Sequence, residues 1–194
     1  MLRTVLLTLA TLAIAIGGGA GSVWYALNAR EGVGAVTVGS WTAYPDMGAP
    51  DADPYSKARQ ARLGLLPLGR AEGLAFIATR DAGGARLSRQ CSYVIQGSTP
   101  PARFWTLYAA DPSLRMIATK GNRKPALQSL SILRNADNAF AIAVAPEAAP
   151  GNWLRVSGSG PMALVLTLYD TPVAGVIGVE DVALPQVERT ACGG

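Results

Sequence analysis

Glu72, Asp81, Asp111 and Asp170 are the residues of this chain best suited to general acid and base work, because two carboxyl groups can share the roles of proton donor and acceptor. Their spacing brings no two of them together, and Asp81 and Asp111 stand among turn residues. No catalytic residue is therefore assigned. Asp46, Asp51 and Asp53 could offer oxygen ligands to calcium, but the stretch lacks the glycine and glutamate of a calcium loop. No metal site is assigned and no cofactor is expected. The chain contains no histidine among its 194 residues. That excludes Ser-His-Asp triads, Cys-His dyads and metal sites built on imidazole. Val156-Ser157-Gly158-Ser159-Gly160 comes nearest to a serine-nucleophile elbow, but it misses the Gly-x-Ser-x-Gly spacing and has no histidine partner.

Two pairs could bind rather than react. Arg103 and Trp105 would share one face of a strand, as a cation–π pair or a platform for stacking a sugar. Asn152 and Trp153 follow Pro150-Gly151, where the chain leaves a turn. Arg103, Trp105, Asn152 and Trp153 are thus the candidate binding residues. A plainer role is open to each pair: Trp105 as half-buried core with Arg103 over its edge, and Asn152 as a holder of backbone. Cys91 and Cys192 form the third pair. Outside the cytoplasm a bridge between them is expected, closing a loop of roughly 100 residues and contributing about 4 to 5 kcal/mol in the chain-entropy model. The alternative is a buried thiol and an unrelated thiol in the tail.

Elements that could position these residues follow from periodicity. Asp53-Pro54 opens a short helix, with an acid as N-cap, proline in the first turn and Gly64 as a stop. Its expected inner face carries Tyr55, Ala58 and Ala61, with Lys57 and Gln60 pointing away. Strands are expected over Leu74–Arg80, Arg86–Gln96, Arg103–Ala109 and Met162–Asp170, and in a hairpin of Leu127–Arg134 with Ala139–Ala145 about an Asn135–Asn138 turn. In the second strand Leu87, Cys91, Tyr93 and Ile95 share a face, with Arg89 as an exception. Met162–Asp170 is apolar on both faces and suits a central strand. The fold class is therefore mainly β: a jelly-roll-like antiparallel β-sandwich with a short helix.

Hydrophobic residues make up 49% of the chain and charged ones only 15%, against about 25% charged in an average protein. Part of the imbalance lies in Thr4–Ala29, 26 residues without a charge. At about 1.5 Å per residue such a helix outspans a hydrocarbon core of roughly 30 Å. Residues 1–30 are read as an N-terminal transmembrane helix that contacts the membrane through residues 4–29. The alternative is a cleaved signal peptide with its junction near Ala20-Gly21-Ser22. Either exports residues 31–194, the β-sandwich domain. The net charge of +4 shows no basic stripe. The densest group, Lys57, Arg59, Arg62 and Arg70, reads as a solvated helix face, so nucleic acid is not an expected partner.

The order Gly39-Ser40-Trp41, Asp53-Pro54-Tyr55, Ala58, Gly64, Glu72, Asp81 to Leu87, Tyr93 and Gly97 continues into Pro101-Ala102-Arg103-Phe104-Trp105-Thr106-Leu107-Tyr108. Asn122, Gly151-Asn152-Trp153-Leu154 and Leu168-Tyr169-Asp170 complete it. This pattern resembles the bacterial domain-of-unknown-function 1214 family in its short, membrane-anchored form, over nearly all of the chain after residue 35. The resemblance implies a jelly-roll-like sandwich, often beside or fused to a second domain of unknown function, number 1254. That domain is expected here as a separately encoded partner. The functional expectation is a periplasmic module, tethered by a single span to the bacterial inner membrane, that binds a partner protein or a cell-envelope ligand. The alternative is a carboxylate-dependent hydrolase or lyase acting on envelope glycan.

Overall fold

Helix α1 runs over Leu2–Asn28, and within it Leu2–Tyr25 is long and apolar enough to cross a membrane, a property that a signal sequence shares. Three of its hydroxyls are satisfied internally: Thr8 and Thr11 donate to the carbonyls of Thr4 and Leu7 at 2.9 and 2.8 Å, and Ser22 donates to Gly19 at 2.8 Å. An apolar helix can thus carry them without leaving a donor open. The computed structural model describes residues 1–28, 34–64, 66–69, 71–119, 124–175 and 182–192. Asn122, Arg70, Arg30 and Glu31 lie outside these residues.

Among the described residues ten strands follow α1: β1 (Val36–Val38), β2 (Trp41–Ala43), β3 (Gly73–Ala78), β4 (Cys91–Gly97), β5 (Phe104–Ala110), β6 (Ala126–Gln128), β7 (Phe140–Ala145), β8 (Asn152–Arg155), β9 (Ala163–Tyr169) and β10 (Gln186–Cys192). The first sheet has the order β1-β2-β3-β9-β5-β6 and the second β10-β4-β7-β8. Leu74, Phe76, Leu164, Leu166, Leu168, Trp105 and Leu107 of the first sheet share one buried cluster with Tyr93, Ile95, Ile142, Val144, Leu154 and Val187 of the second. Alternate residues of each strand supply that cluster, at about 1.5–3 kcal/mol for each large side chain removed from water. The chain is mainly β, as expected. One pairing departs from the antiparallel expectation: β8 runs parallel to β7, because the turn after Ala145 is followed by a short return that brings Asn152 back beside Ile142.

Strand β9 lies between β3 and β5, and all of its residues except Tyr169 are buried, which is the central position its two-sided apolarity predicts. Helix α2 (Pro54–Leu63) lies between β2 and β3 in the chain. Asp53 accepts hydrogen bonds from the Tyr55 and Ser56 amides at 2.9 and 3.0 Å, and Gly64 closes the helix with φ 61°. Hydrogen bonds from the Ser56 side chain and amide hold the Asp53 carboxyl below its ordinary value. The expected inner face is corrected. Tyr55, Ala58 and Ala61 are exposed, whereas Ser56 is buried and Gln60 half-buried. Among the described side chains, the four-residue step from Ser56 to Gln60 marks the less exposed face.

Two strand expectations also change. The Arg86–Gln96 run becomes a strand only from Cys91, since Ser88 to Cys91 is a turn in which the Cys91 amide bonds to the Ser88 carbonyl at 3.2 Å. That turn accounts for Arg89, which breaks the alternation. The Asn135–Asn138 turn does form, with Asn135 donating to Ala139 at 2.8 Å and Asn138 at φ 66°. It does not close the expected hairpin. Strand β7 already has β4 and β8 on its two edges, so the preceding run has no edge to join, and β6 pairs with β5 in the other sheet.

Candidate functional site

Two of the four candidate binding residues, Trp105 and Asn152, are tied directly to one segment, residues 129–134. This segment leaves the edge strand β6 of one sheet and leads, through the Asn135–Asn138 turn, to β7 of the other. Trp105 is 98% removed from solvent on the inner face of β5, and its amide donates to the Ser129 hydroxyl at 3.1 Å. Its ring packs 5.1 Å from that of Phe140, and the Arg134 guanidinium lies 5.9 and 5.7 Å from the two ring centroids. The indole Nε1 is buried without a hydrogen-bond partner.

Asn152, the first residue of β8, holds the other end. Its Oδ1 accepts from the Leu133 amide at 2.7 Å, while its Nδ2 donates to the carbonyls of Leu133 and Ala141 at 2.8 and 3.0 Å. One carboxamide thus imitates a pair of strand hydrogen bonds and saturates backbone groups at the edge of β8. Gly151, at φ 74°, makes the turn that delivers it. Trp153 is half-buried and donates from Nε1 to the Ala145 carbonyl at 3.0 Å. Asn152 therefore holds backbone, as its plainer role had it.

Arg103 is not part of this arrangement. Its side chain is exposed and meets the exposed Asp170 carboxylate at 3.7 Å, an ion pair weakened by solvent. The Arg103–Trp105 pairing is replaced by Arg134–Trp105, because Trp105 points into the core and the crossover segment brings its own arginine over the ring edge. Leu130 and Leu133, which the sequence did not single out, are 83% and 69% exposed on this segment. A signal existed. The two leucines have opposite parity, so a strand with a single face in the core could bury only one of them.

The four acids are held apart in separate local roles. Glu72 accepts from the Gly69 amide at 3.0 Å. Asp81 is buried, accepts from the Ala85 amide at 2.9 Å and pairs with Arg189 Nε at 2.9 Å. Asp111 accepts from the amides of Ser113 and Arg115 at 2.8 and 3.1 Å. Asp170 faces Arg103. Among the described residues, no group of three or more acids and cysteines is placed to hold a metal ion. Cys91 and Cys192 are bridged, and they stand opposite each other in the β4–β10 register.

The family model for a protein of unknown function, DUF1214, matches residues 72–173, more than half of the chain. The span contains the Arg103–Tyr108 and Asn152–Leu154 segments and leaves out the motifs between Gly39 and Gly64. Among solved structures, the chain is similar to the VPA0106 protein from Vibrio parahaemolyticus, at 18% identity and a TM-score of 0.55, over 72% of this chain and 36% of that one. It is also similar to an uncharacterized protein from Burkholderia cenocepacia, at 16% identity and a TM-score of 0.39, over 74% of this chain and 44% of that one. The first likeness is one of fold, and the chain spans less than half the length of either protein. No curated protein matches it.

Proposed function

The chain belongs to the DUF1214 family, and from that premise we propose that it is a membrane-tethered periplasmic module that docks a separately encoded protein domain through the segment 129–134. The observation that carries this reading is the pair Leu130 and Leu133, held out to solvent on backbone that Asn152 and Ser129 fix in place. Exposed leucines on a rigid support lose little conformational freedom on binding, which favours an interface over a mobile loop. The partner is a domain of the unknown-function 1254 type, the one that the family resemblance implies. Helix α1 supplies the tether to the inner membrane, and the Cys91–Cys192 bridge suits an oxidising compartment. Glycan hydrolysis by carboxylates has less support, because each of the four acids is engaged with a backbone amide or an arginine.

Co-expression of the full chain with the separate domain tests the reading. A stoichiometric complex is expected to co-purify from membranes, and Leu130→Glu with Leu133→Glu is expected to lower its recovery about tenfold by placing two charges in an apolar contact. Both positions are exposed, so the fold remains intact. No complex with the parent chain, or full recovery with the double variant, overturns the proposal.

A further inference from the structure

A cavity of about 440 Å³ opens on the outer face of the first sheet, on the opposite side of β3, β9 and β5 from the core. Its floor includes Ile77, Val165, Tyr108 and Tyr169, all of which point away from the residues that fill the sandwich. Its other wall comes from the two limbs of the connection between β2 and β3, through Met47, Leu66 and Leu68. The limbs are in close contact. A Cβ on Gly48 would run into the Leu68 carbonyl, so this wall depends on glycine at that position.

Among the described residues, the lining contains no aspartate, glutamate, lysine or arginine. An ionised group placed there would lose water without gaining a countercharge, at a cost of several kcal/mol. That argues against fatty-acid carboxylates, phosphates and amines. An extended peptide fares little better, since its backbone would need more hydrogen-bond partners than the lining offers. The polar groups present are hydroxyls. Burial, and after it the neighbouring Tyr169, push the Tyr108 phenol above its ordinary value. Among the described residues neither Tyr108 nor Tyr169 uses its hydroxyl in a hydrogen bond, although Tyr169 stacks on Phe104 with ring centroids 4.4 Å apart. A mostly apolar chamber with a few convergent hydroxyls is the usual form of a small-molecule site.

We infer that this cavity holds an uncharged, lipid-like molecule whose apolar body lies against Ile77, Val165 and Leu66 and whose oxygen-bearing end meets the Tyr108 and Tyr169 hydroxyls. The site is built from residues distinct from Leu130 and Leu133, so it stands or falls apart from the docking segment. A helix apolar enough to cross a membrane gives the same chain access to a source of such molecules.

A photoactivatable analogue of 1-decanol, applied to the full chain in phosphatidylcholine nanodiscs, tests the inference. Label is expected on peptides carrying Met47 or Leu66 to Leu68. Unlabelled 1-decanol is expected to suppress it about tenfold more effectively than decanoate at pH 8, where decanoate is charged. Leu66 is 98% exposed, so Leu66→Glu leaves the fold alone and is expected to cut labelling about tenfold. Tyr108→Phe keeps the ring, loses the hydroxyl and is expected to weaken competition by 1-decanol about fivefold. Label confined to α1, equal competition by decanoate, or undiminished labelling of the Leu66→Glu variant overturns it.

Discussion

The two flanks of the sandwich are closed by different chemistry. On one flank β10 is fastened to β4 by the Cys91–Cys192 bridge, and Arg189 reaches from β10 to the buried Asp81 carboxylate at 2.9 Å and to the Arg86 carbonyl at 2.8 Å. There the Trp41 indole also donates to the Pro185 carbonyl at 2.7 Å, joining β2 of one sheet to the approach of β10 in the other. On the opposite flank, the segment between β6 and β7 is held by neutral hydrogen bonds from Asn152 and Ser129, with Arg134 over the rings of Trp105 and Phe140. The first flank needs a covalent and ionic tie because β10 is polar: of its seven residues only Val187 is buried. The second needs none, since its segment rests on core aromatics. It can therefore leave two leucines outside without losing its conformation.

The largest expected effect lies on the covalent flank. Cys192→Ser releases a loop closed over a sequence separation of 101 and is expected to lower stability by about 4 to 5 kcal/mol. Denaturant midpoints with and without reductant check this. A midpoint that reduction leaves unchanged would mean that pairing with β4 alone holds β10. Next comes Arg189→Met, which keeps much of the apolar stem but leaves Asp81 buried without its cation. A loss of about 2 to 4 kcal/mol is expected, rather less than for a wholly buried pair because the arginine side chain is 32% exposed. Equilibrium unfolding measures it, and the partial recovery expected on adding Asp81→Asn separates the stranded charge from lost packing.

On the neutral flank, Asn152→Asp has the smallest expected effect, about 1 to 3 kcal/mol. Aspartate still accepts from the Leu133 amide but cannot donate to the Leu133 and Ala141 carbonyls when ionised. Amide exchange should quicken at Leu133 and stay slow at Arg189. Equal acceleration at both would show that the flanks open as one unit and that the distinction between them fails.

Legibility followed locality. Asp53, Pro54 and Gly64 marked α2 because capping is a matter of a few adjacent residues, and the structure reproduces it to the residue. Leu87, Cys91, Tyr93 and Ile95 are buried together as their alternation required, although a turn at Ser88–Cys91 divides the run. Strand β10 was not legible. Gln186-Val187-Glu188-Arg189-Thr190-Ala191-Cys192 has neither an apolar face nor a turn signal, and its strand state comes from β4 alongside. Of the candidate binding residues, Asn152 could be read as a backbone holder from the preceding Gly151, but its target Leu133 could not. A carboxamide states what it can bond and not where its partner lies. The same holds for Trp105, whose arginine proved to be Arg134.

By itself the sequence determined the apolar helix, the β class, the central position of β9, the family and the absence of imidazole chemistry. The family rests on a resemblance in the order of motifs from Gly39 to Asp170, and the others on composition or on a short-range period. Only the tertiary structure decided which edge strand meets which, that β8 runs parallel to β7, that the four acids occupy separate places, and that a mostly apolar cavity opens beside Tyr108 and Tyr169. The physical reason is that sheet pairing and cavity walls join residues far apart in the chain. Backbone hydrogen bonds carry almost no side-chain identity, so the partners are fixed by how the whole set of strands can bury its apolar faces at once.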